Sequence, residues 1–364
     1  MKTDLHSCFL ELVKAGLWEK EVQLLPHAKI DICRILNLAI EQSVVGLVTA
    51  GLERVEVLKE QKGCFIKFVG ITLQIEQRNR EIDDFIAKLT KRLQRENVFS
   101  LLVKGQGVAQ CYESPLWRAA GDVDLLLDVE NYGKAKEILL PIAYDIQKED
   151  VQTLHQAMKI MGVDLELHGK MPFSISGRVD KVIDQVIAES LINGKASVWK
   201  VNEIDVLIPN PDNHLFLVFT HFLHHFFIEG VGLRQICDWC RILWAYRSEL
   251  NLSLLESRIK EAGLMSEWKV FGAMAVAHLG MPAEAMPFYD SQYKRKGDVV
   301  LKRILKSGNF GHNKDLSYRT RYSGTLYKIV SLWRRFWDFV SFTPIFPIDA
   351  PKFFVTYVSK KSNF

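Results

Sequence analysis

Two aspartates at the start of an apolar run are the first candidates for chemistry. Asp122 and Asp124 are separated by one residue and lead into a run of leucines, a pattern that predicts a β-strand over residues 122–129. Because side chains alternate along a strand, both aspartates project from one face while Val123 faces the core. Two carboxylates about 7 Å apart repel each other unless a cation lies between them. The pattern therefore favours a site for Mg²⁺ bound together with a triphosphate.

A glycine turn precedes these aspartates. Residues 98–103 form an apolar run with strand character, and Gly105 follows at the start of a short helical stretch. A glycine there lets the backbone approach phosphate oxygens, and the free N–H groups of a helix N-terminus favour an anion. Lys104 and Arg118 carry positive charge on either side of this stretch. Together they predict phosphate contacts, and the alternative is a simple turn with solvated cations.

A second alternating segment supplies a third acid. Along residues 162–168, Asp164, Glu166 and His168 share one face and apolar residues share the other. If this strand lies beside the aspartate strand, three acids face one another, which is the arrangement for two-metal nucleotidyl transfer. The spacing alone leaves both Asp164 and Glu166 open as the third carboxylate. The alternative is a sheet with one hydrated, acidic face.

At this point a family resemblance is apparent. The run LLVKGQGVAQCYESPLWRAAGDVDLLLD, with VDLELH downstream, resembles the bacterial family of uncharacterised nucleotidyltransferases within the polymerase-β superfamily. The superfamily pattern is a strand, a glycine turn with a helix, D-x-D on the next strand, and a later acid between apolar residues. Gly105, Asp122, Asp124 and Glu166 occupy these positions. The resemblance covers residues 98–243, including LFLVFTHFLHHF and GLRQICDW.

The resemblance implies an enzyme. It would transfer a nucleoside monophosphate from an NTP, with ATP as the default, to an unidentified hydroxyl-bearing acceptor, using Mg²⁺ or Mn²⁺. The implied catalytic and metal-binding residues are Asp122, Asp124 and Glu166. The implied nucleotide-binding residues are Lys104, Gly105, Gln106 and Arg118.

Gln106 is the main departure from the superfamily pattern. Many members have Ser or a second Gly directly after the turn glycine, where it contacts phosphate. The bulkier amide of Gln106 can still donate a hydrogen bond to phosphate. The departure also favours an alternative, a non-catalytic nucleotide-binding or partner-binding protein on the same fold.

Polar residues farther along the chain are candidates for the opposite side of the cleft. His221 and His225 have i,i+4 spacing, which is also the spacing of a zinc pair, although packed helical histidines are the commoner case. Arg234 and Asp238 have the same spacing and can pair with each other. We expect at least one of these four to line the pocket containing Asp122, because buried polar groups need partners. The candidate cleft residues are Asp164, His168, His221, His225, Arg234 and Asp238.

The order of elements predicts an α+β fold with a small polymerase-β-like sheet core flanked by N-terminal and C-terminal helical regions. The predicted divisions are 1–97, 98–210 and 211–364. The segment Pro209-Asn210-Pro211-Asp212 marks the second boundary, with Asp212 as the cap of the next helix. Predicted helices cover 30–60, 71–95, 132–142, 175–188, 213–228, 233–247, 253–262 and 265–279. Predicted strands cover 98–103, 122–129, 152–160, 162–168 and 197–208, and we expect those over 152–160 and 162–168 to form a hairpin.

Composition sets the broad class. The 364 residues are 48% hydrophobic and 25% charged, which is typical of a soluble protein, and a net charge of +4 is too small to indicate nucleic acid by itself. Six scattered cysteines predict a reduced, intracellular chain. Cys237 and Cys240 lie in an apolar run and are predicted to be small buried side chains. Without a signal peptide or a long apolar segment in the sequence, the expected location is the cytoplasm.

The C-terminal tail mixes aromatic and cationic residues, as in Trp333-Arg334-Arg335-Phe336-Trp337. This mixture suits contact with a membrane surface or a nucleic acid. It also suits a helix docked on the body with its cations outside, which is our prediction.

Overall fold

The computed structural model describes residues 5–23, 31–55, 62–171, 175–192, 195–314, 321 and 323–361. Four strands form a mixed sheet in the order β1-β2-β4-β3, and two more form a separate hairpin. The strands are β1 (Leu101–Val103), β2 (Val123–Leu126), β3 (His155–Ile160), β4 (Val163–His168), β5 (Ala196–Val201) and β6 (Ile204–Pro209).

Helices surround this sheet. Those of the first half are α1 (Leu5–Trp18), α2 (Ile32–Glu41), α3 (Val45–Leu52), α4 (Lys62–Arg95), α5 (Gly105–Ala109), α6 (Val129–Leu139) and α7 (Gly177–Ile192). Those of the second half are α8 (Pro211–Ile228), α9 (Leu233–Ala245), α10 (Leu252–Ala262), α11 (Met265–Leu279), α12 (Lys294–Ser307), α13 (Gly324–Phe342) and α14 (Asp349–Lys361). The predicted α+β class with flanking helices is confirmed. Residue 30 and residues 56–60 of the first predicted helix lie outside the described residues.

The predicted hairpin before His168 is confirmed as β3 and β4, which pair antiparallel. Met161 and Gly162 join them with φ values of 52° and 79°. Tight two-residue hairpin turns need positive φ because that geometry matches the twist of the strands. Strand β3 begins at His155, three residues later than predicted, because residues 151–154 form a turn.

The aspartate strand is shorter than predicted because a helix cap follows it. The Asp128 side chain accepts a hydrogen bond from the Asn131 backbone N–H at 2.8 Å. A capping carboxylate satisfies a free N–H of the first helical turn. Helix α6 therefore starts at Val129, and β2 ends at Leu126.

Helix α4 covers one face of the main sheet. Its apolar residues recur at helical spacing, which gives one continuous buried stripe. That stripe consists of Ile82, Phe85, Ile86, Leu89 and Leu93, and it shares a core with Val123, Leu125, Leu165 and Leu167. The N-terminal helical region thus supplies the platform under the aspartate strand.

A second core joins the helices of both chain ends. Leu12 of α1 belongs to the same buried cluster as Phe219, Trp239 and Trp268 of α8, α9 and α11. The Trp239 and Trp268 rings lie 4.8 Å apart in an edge-to-face arrangement, which aromatic pairs favour. The division at residues 97 and 210 stays a prediction.

The boundary before α8 differs from the prediction in its cap. Asn210, not Asp212, is the N-cap, since its side chain accepts from the Asn213 backbone N–H at 3.0 Å. Pro211 takes the first helical position, where its missing N–H costs nothing. Asp212 instead accepts from the backbone N–H of Asn251 at 2.8 Å, next to the start of α10.

The cysteines differ in part from the prediction. Cys33 and Cys64 form a disulfide between α2 and α4, so the predicted reduced state is wrong for this pair. Cys237 and Cys240 are free and fully buried on α9, as predicted.

The tail is docked only in part. Phe339 and Phe342 of α13 are buried, and both rings contact Phe227 of α8. On another face of the same helix, Trp333 and Trp337 are 61% and 52% exposed. The docked arrangement therefore holds for one face of α13. In the part of the chain that the structure describes, none of the helices is both long and apolar enough to cross a bilayer.

Candidate active site

The parallel pairing of β2 and β4 builds the centre of the site. Their register places Glu166 directly beside Asp124. Asp122 immediately precedes β2, and carboxylate oxygens of these three residues lie within 4.8 Å of one another. Asp124 is only 2% exposed, whereas Asp122 keeps contact with solvent at the edge of the cleft. Three acids from two neighbouring strands thus converge on one point.

Asp164, the other sequence candidate for the third acid, lies outside this cluster. It is largely exposed, and its carboxylate lies 3.5 Å from the ammonium group of Lys159 on β3. On β4, Glu166 is the register partner of Asp124 of β2, whereas Asp164 contacts its register partner on β3, Lys159. Of the two acids, Glu166 therefore faces the aspartates.

Lys104 and His168 both contact the buried Asp124. Lys104 Nζ donates to Asp124 Oδ1 at 2.7 Å, and His168 Nε2 lies 2.8 Å from the same oxygen. Burial raises the pKa of Asp124, but Lys104 and His168 outweigh it, so its pKa falls below the ordinary value. The pKa of Asp122 moves the other way, because the neighbouring charge of Asp124 raises it and burial adds to the effect. The aspartate pair is thus electrostatically unequal.

Glu166 has histidine partners on both sides. His155 Nε2 lies 3.2 Å from Glu166 Oε2, and His168 Nε2 lies 3.4 Å from it. These two contacts, with His155 first, hold the pKa of Glu166 well below its usual range despite burial. Glu166 is therefore a carboxylate at neutral pH.

The turn between β1 and α5 brings positive charge to this cluster. Lys104 and Gly105 have φ values of 61° and 42°, a region where glycine pays little steric cost. A Cβ on Gly105 would lie 3.7 Å from the Asp122 carbonyl oxygen, so the turn runs directly past the first aspartate. The turn thus carries the Lys104 side chain from the end of β1 to Asp124.

Gln106, expected to bind phosphate, points elsewhere. Its amide donates to Asp83 of α4 at 2.6 Å, and the side chain is 4% exposed. It does not line the cleft described below. Asn79, one turn earlier on α4, donates to the carbonyl oxygens of Leu116 and Arg118 at 2.6 and 2.8 Å. Helix α4 therefore holds both the glycine turn and the loop that leads to the aspartates.

A cleft of about 490 Å³ opens between the acidic cluster and the helices that follow the sheet. His221 connects the two sides, since its Nε2 lies 3.3 Å from Lys104 Nζ and 3.0 Å from His225 Nε2. Burial, and then the charge of Lys104, lower the pKa of His221 well below its ordinary value. Of the predicted residues, the lining includes Lys104, Gly105, Arg118, Asp122, Asp124, Glu166, His168, His221, His225, Arg234 and Asp238.

The two arginines of the cleft differ in their partners. Arg118 forms a buried salt bridge with Asp238, so its charge is already balanced. Arg234 does not pair with Asp238, although their spacing allows it, and donates instead to the Ala119 carbonyl at 2.6 Å. Its Nε has no hydrogen-bond partner, and it forms no salt bridge with any residue that the structure describes. Arg234 is thus a half-buried cation that lines the cleft and forms no salt bridge with a described acid.

Several lining residues were not singled out from the sequence, namely Asp150, Thr153, His155, Lys170, His224, Gln235 and Phe310. His155 could have been found from the hairpin, because its register partner is His168. Phe310 follows α12 with a φ of 48° and packs against His225 at 4.9 Å. Its sequence neighbourhood gives no signal for this position.

The sheet, the glycine turn and the convergent acids define a nucleotidyltransferase-type fold with flanking helices. Residues 28–280 match the sequence model of a family described as uncharacterised nucleotidyltransferase, which is more than half of the chain. The chain belongs to this family, and the resemblance seen in the sequence is confirmed. No curated protein and no solved structure matches it.

Proposed function

We propose that this protein transfers a nucleoside monophosphate from an NTP to a hydroxyl-bearing acceptor in an Mg²⁺-dependent reaction. One observation carries the proposal: Asp122, Asp124 and Glu166 converge within 4.8 Å beside Lys104. The cleft volume of about 490 Å³ is in the range of small-molecule sites. Family membership supports nucleotidyl transfer as the general activity.

The donor set fits Mg²⁺, or Mn²⁺ in its place. Mg²⁺ prefers oxygen ligands from one or two carboxylates together with substrate phosphates. Without a cation, Asp124 raises the pKa of Asp122 by repulsion, so a divalent ion between them would relieve an unfavourable contact. Bound there, the ion would neutralise phosphate charge and align the triphosphate with the attacking hydroxyl.

The residues around the acids supply cations for the triphosphate. Lys104 donates a hydrogen bond to the Asp124 carboxylate and lies next to His221, so its ammonium group is placed to bind a phosphate oxygen in place of that carboxylate. Arg234 has no acidic partner among the described residues and lines the same cleft. A planar guanidinium suits bidentate phosphate binding. We therefore assign phosphate contacts to Lys104 and Arg234, and a structural role to Arg118.

The experiment is a transfer assay with the purified protein, Mg²⁺, labelled NTPs and a cell extract as the source of acceptor. The expected result is label on an acceptor, release of pyrophosphate, and loss of both in the Asp122→Asn and Asp124→Asn variants. The label's destination names the acceptor class, and comparison of the NTPs tests ATP as the default donor. Transfer that persists in both variants would overturn the site assignment.

The second candidate is a non-catalytic nucleotide-binding protein on the same fold. The placement of Gln106 favours it, because this amide binds Asp83 and does not enter the cleft. A phosphate donor common in the superfamily is thus missing. Mg²⁺-dependent NTP binding without pyrophosphate release, across all acceptor extracts, would support this candidate.

The cytoplasm is the proposed location, because NTPs and Mg²⁺ are abundant there. The Cys33–Cys64 disulfide is the observation that stands against it, since disulfides persist mainly in oxidising compartments. Cell fractionation with an antibody against the chain tests it, and recovery outside the cytoplasm and its membrane surface would contradict it.

A further inference from the structure

Two histidines converge on the acid that closes the catalytic cluster. His155 of β3 is the register partner of His168 of β4, and their rings stack with centroids 4.9 Å apart. His155 Nε2 lies 3.2 Å from Glu166 Oε2, and His168 Nε2 lies 3.4 Å from the same oxygen. The closer contact of His168 Nε2 is with Asp124 Oδ1 at 2.8 Å, so an ion bound here would replace that contact. The three donor atoms lie within 4.8 Å of one another.

The chemistry of these donors differs from that of the aspartates. Two imidazole nitrogens and one carboxylate oxygen suit first-row transition metals such as Zn²⁺, Fe²⁺ and Co²⁺, whereas Mg²⁺ prefers oxygen alone. We propose that His155, Glu166 and His168 form a binding site for a divalent transition metal ion, adjacent to the oxygen-only site and sharing Glu166 with it.

Accessibility supports a ligand site over a purely structural contact. The side chains of His155 and Glu166 are 34% and 30% exposed, and all three residues line the cleft. An ion at this point can reach solvent or substrate, which leaves room for further ligands beyond the three from the protein.

The cleft contains a second histidine pair that serves as a comparison. His221 and His225 of α8 approach each other with their Nε2 atoms 3.0 Å apart. His225 Nδ1 lies 3.1 Å from Glu229 Oε2. Among the residues that the structure describes, however, no His, Cys, Asp or Glu donor forms a group with both histidines in which all donor atoms lie within 4.8 Å of one another. Three convergent protein ligands bind an ion more tightly than two, so the β3–β4 site is the stronger one.

Sharing of Glu166 has a functional consequence that rests on the proposed function. A transition metal held by His155 and His168 would take Glu166 away from the aspartates. We therefore expect Zn²⁺ to weaken Mg²⁺-dependent NTP binding in the wild-type protein, and to do so less in a His155→Ala variant.

The test uses the full chain without nucleotide, with Zn²⁺ affinity measured by competition against a chromophoric chelator. His155→Ala and the more conservative His155→Gln should each weaken binding by at least about tenfold. His225→Ala should match the wild type, and Asp122→Asn should retain binding because Asp122 is not a ligand of this site. Co²⁺ should give visible absorption that is lost in the His155 variants, and thermal melting shows whether each variant is folded.

Three results would overturn the site: no Zn²⁺ binding by the wild type, equal binding by wild type and folded His155 variants, or loss of binding in His225→Ala alone. The last would place the metal on α8. The outcome is independent of the transfer assay, because it is measured without NTP. Failure of NTP transfer with intact Zn²⁺ binding would remove the proposed function and leave this site standing.

Discussion

Arg118 and Asp238 form a buried bidentate salt bridge, with Nε–Oδ1 and Nη2–Oδ2 distances of 2.7 Å each. Arg118 lies in the loop before Asp122 and Asp124, and Asp238 lies on α9. The Tyr112 hydroxyl also donates to Asp238, at 2.8 Å. The contact therefore fixes the sheet core to the helical wall of the cleft.

Breaking this pair should destabilise the protein strongly. Removal of one partner leaves an uncompensated buried charge, so Arg118→Leu and Asp238→Leu should each lower the free energy of unfolding by about 3–5 kcal/mol. The double variant should lose less free energy of unfolding than the two single variants lose in total. Urea denaturation measures all three. The control is the exposed pair Lys181–Glu261, whose removal should cost less than about 1 kcal/mol. Strict additivity of the two single changes would contradict direct coupling.

The two acids of β4 provide a matched pair of variants for testing the proposed metal site. Glu166→Gln should weaken Mg²⁺-dependent NTP binding by roughly 10- to 100-fold, the effect of one lost charged contact. Asp164→Asn should leave binding unchanged, because Asp164 pairs with Lys159 outside the cleft. Calorimetric titration with a non-hydrolysable NTP and Mg²⁺ measures both. Equal effects in the two variants would rule out the selective role of Glu166.

Arg234 should contribute more to NTP affinity than to the stability of the fold. Arg234→Ala removes a cation that lacks an acidic partner among the described residues, so NTP affinity should fall by at least about tenfold. The same titration at two salt concentrations should show a smaller salt dependence in the variant. Arg247→Ala, an exposed arginine just after α9, is the control and should bind as the wild type does. Unchanged affinity in Arg234→Ala would place the triphosphate elsewhere.

Glu267 predicts a pH dependence of stability. It is fully buried on α11, where burial and then Asp349 raise its pKa well above the ordinary value. An acid whose pKa is raised by folding does not lower the free energy of unfolding at a pH below its unfolded pKa of about 4.3. As the pH rises above that value, the acid lowers the free energy of unfolding increasingly. Glu267→Gln should therefore raise the Tm by at least about 2 °C at pH 8 and by less at pH 5. The control is Glu256→Gln on the surface of α10, whose Tm should match that of the wild type at both pH values. An increase in Tm of Glu267→Gln that is the same at pH 5 and pH 8 would show that Glu267 does not cause this pH dependence.

We predict that the exposed face of α13 contacts a lipid surface and not a nucleic acid. Its apolar side chains recur every three or four residues: Leu326, Ile329, Trp333, Trp337 and Val340. A continuous apolar face with tryptophans suits the interface of a bilayer. Arg335, one of the tail cations, is instead engaged with the Ile228 carbonyl. The double variant Trp333→Ala/Trp337→Ala should lose sedimentation with anionic vesicles. Binding to single-stranded RNA but not to vesicles would support the nucleic-acid alternative.

The sequence determined the features that depend on local periodicity. Alternation predicted that Asp122 and Asp124 share a face, and it predicted the hairpin that ends at His168. Helical spacing predicted the helix over 71–95, which is part of α4, and the helices after residue 210. These features follow from the geometry of one strand or one helix, in which neighbours a few residues apart fix each side chain's direction.

Only the tertiary structure decided which side chains meet. The parallel register of β2 and β4 placed Glu166, and not Asp164, beside Asp124. Packing against α4 directs the Gln106 side chain toward Asp83. Packing of α9 against the loop before β2 pairs Asp238 with Arg118, although Arg234 lies one helical turn from Asp238. Spacing along the chain does not encode these choices, because each depends on the relative placement of elements that are far apart in sequence and meet only when the cores form.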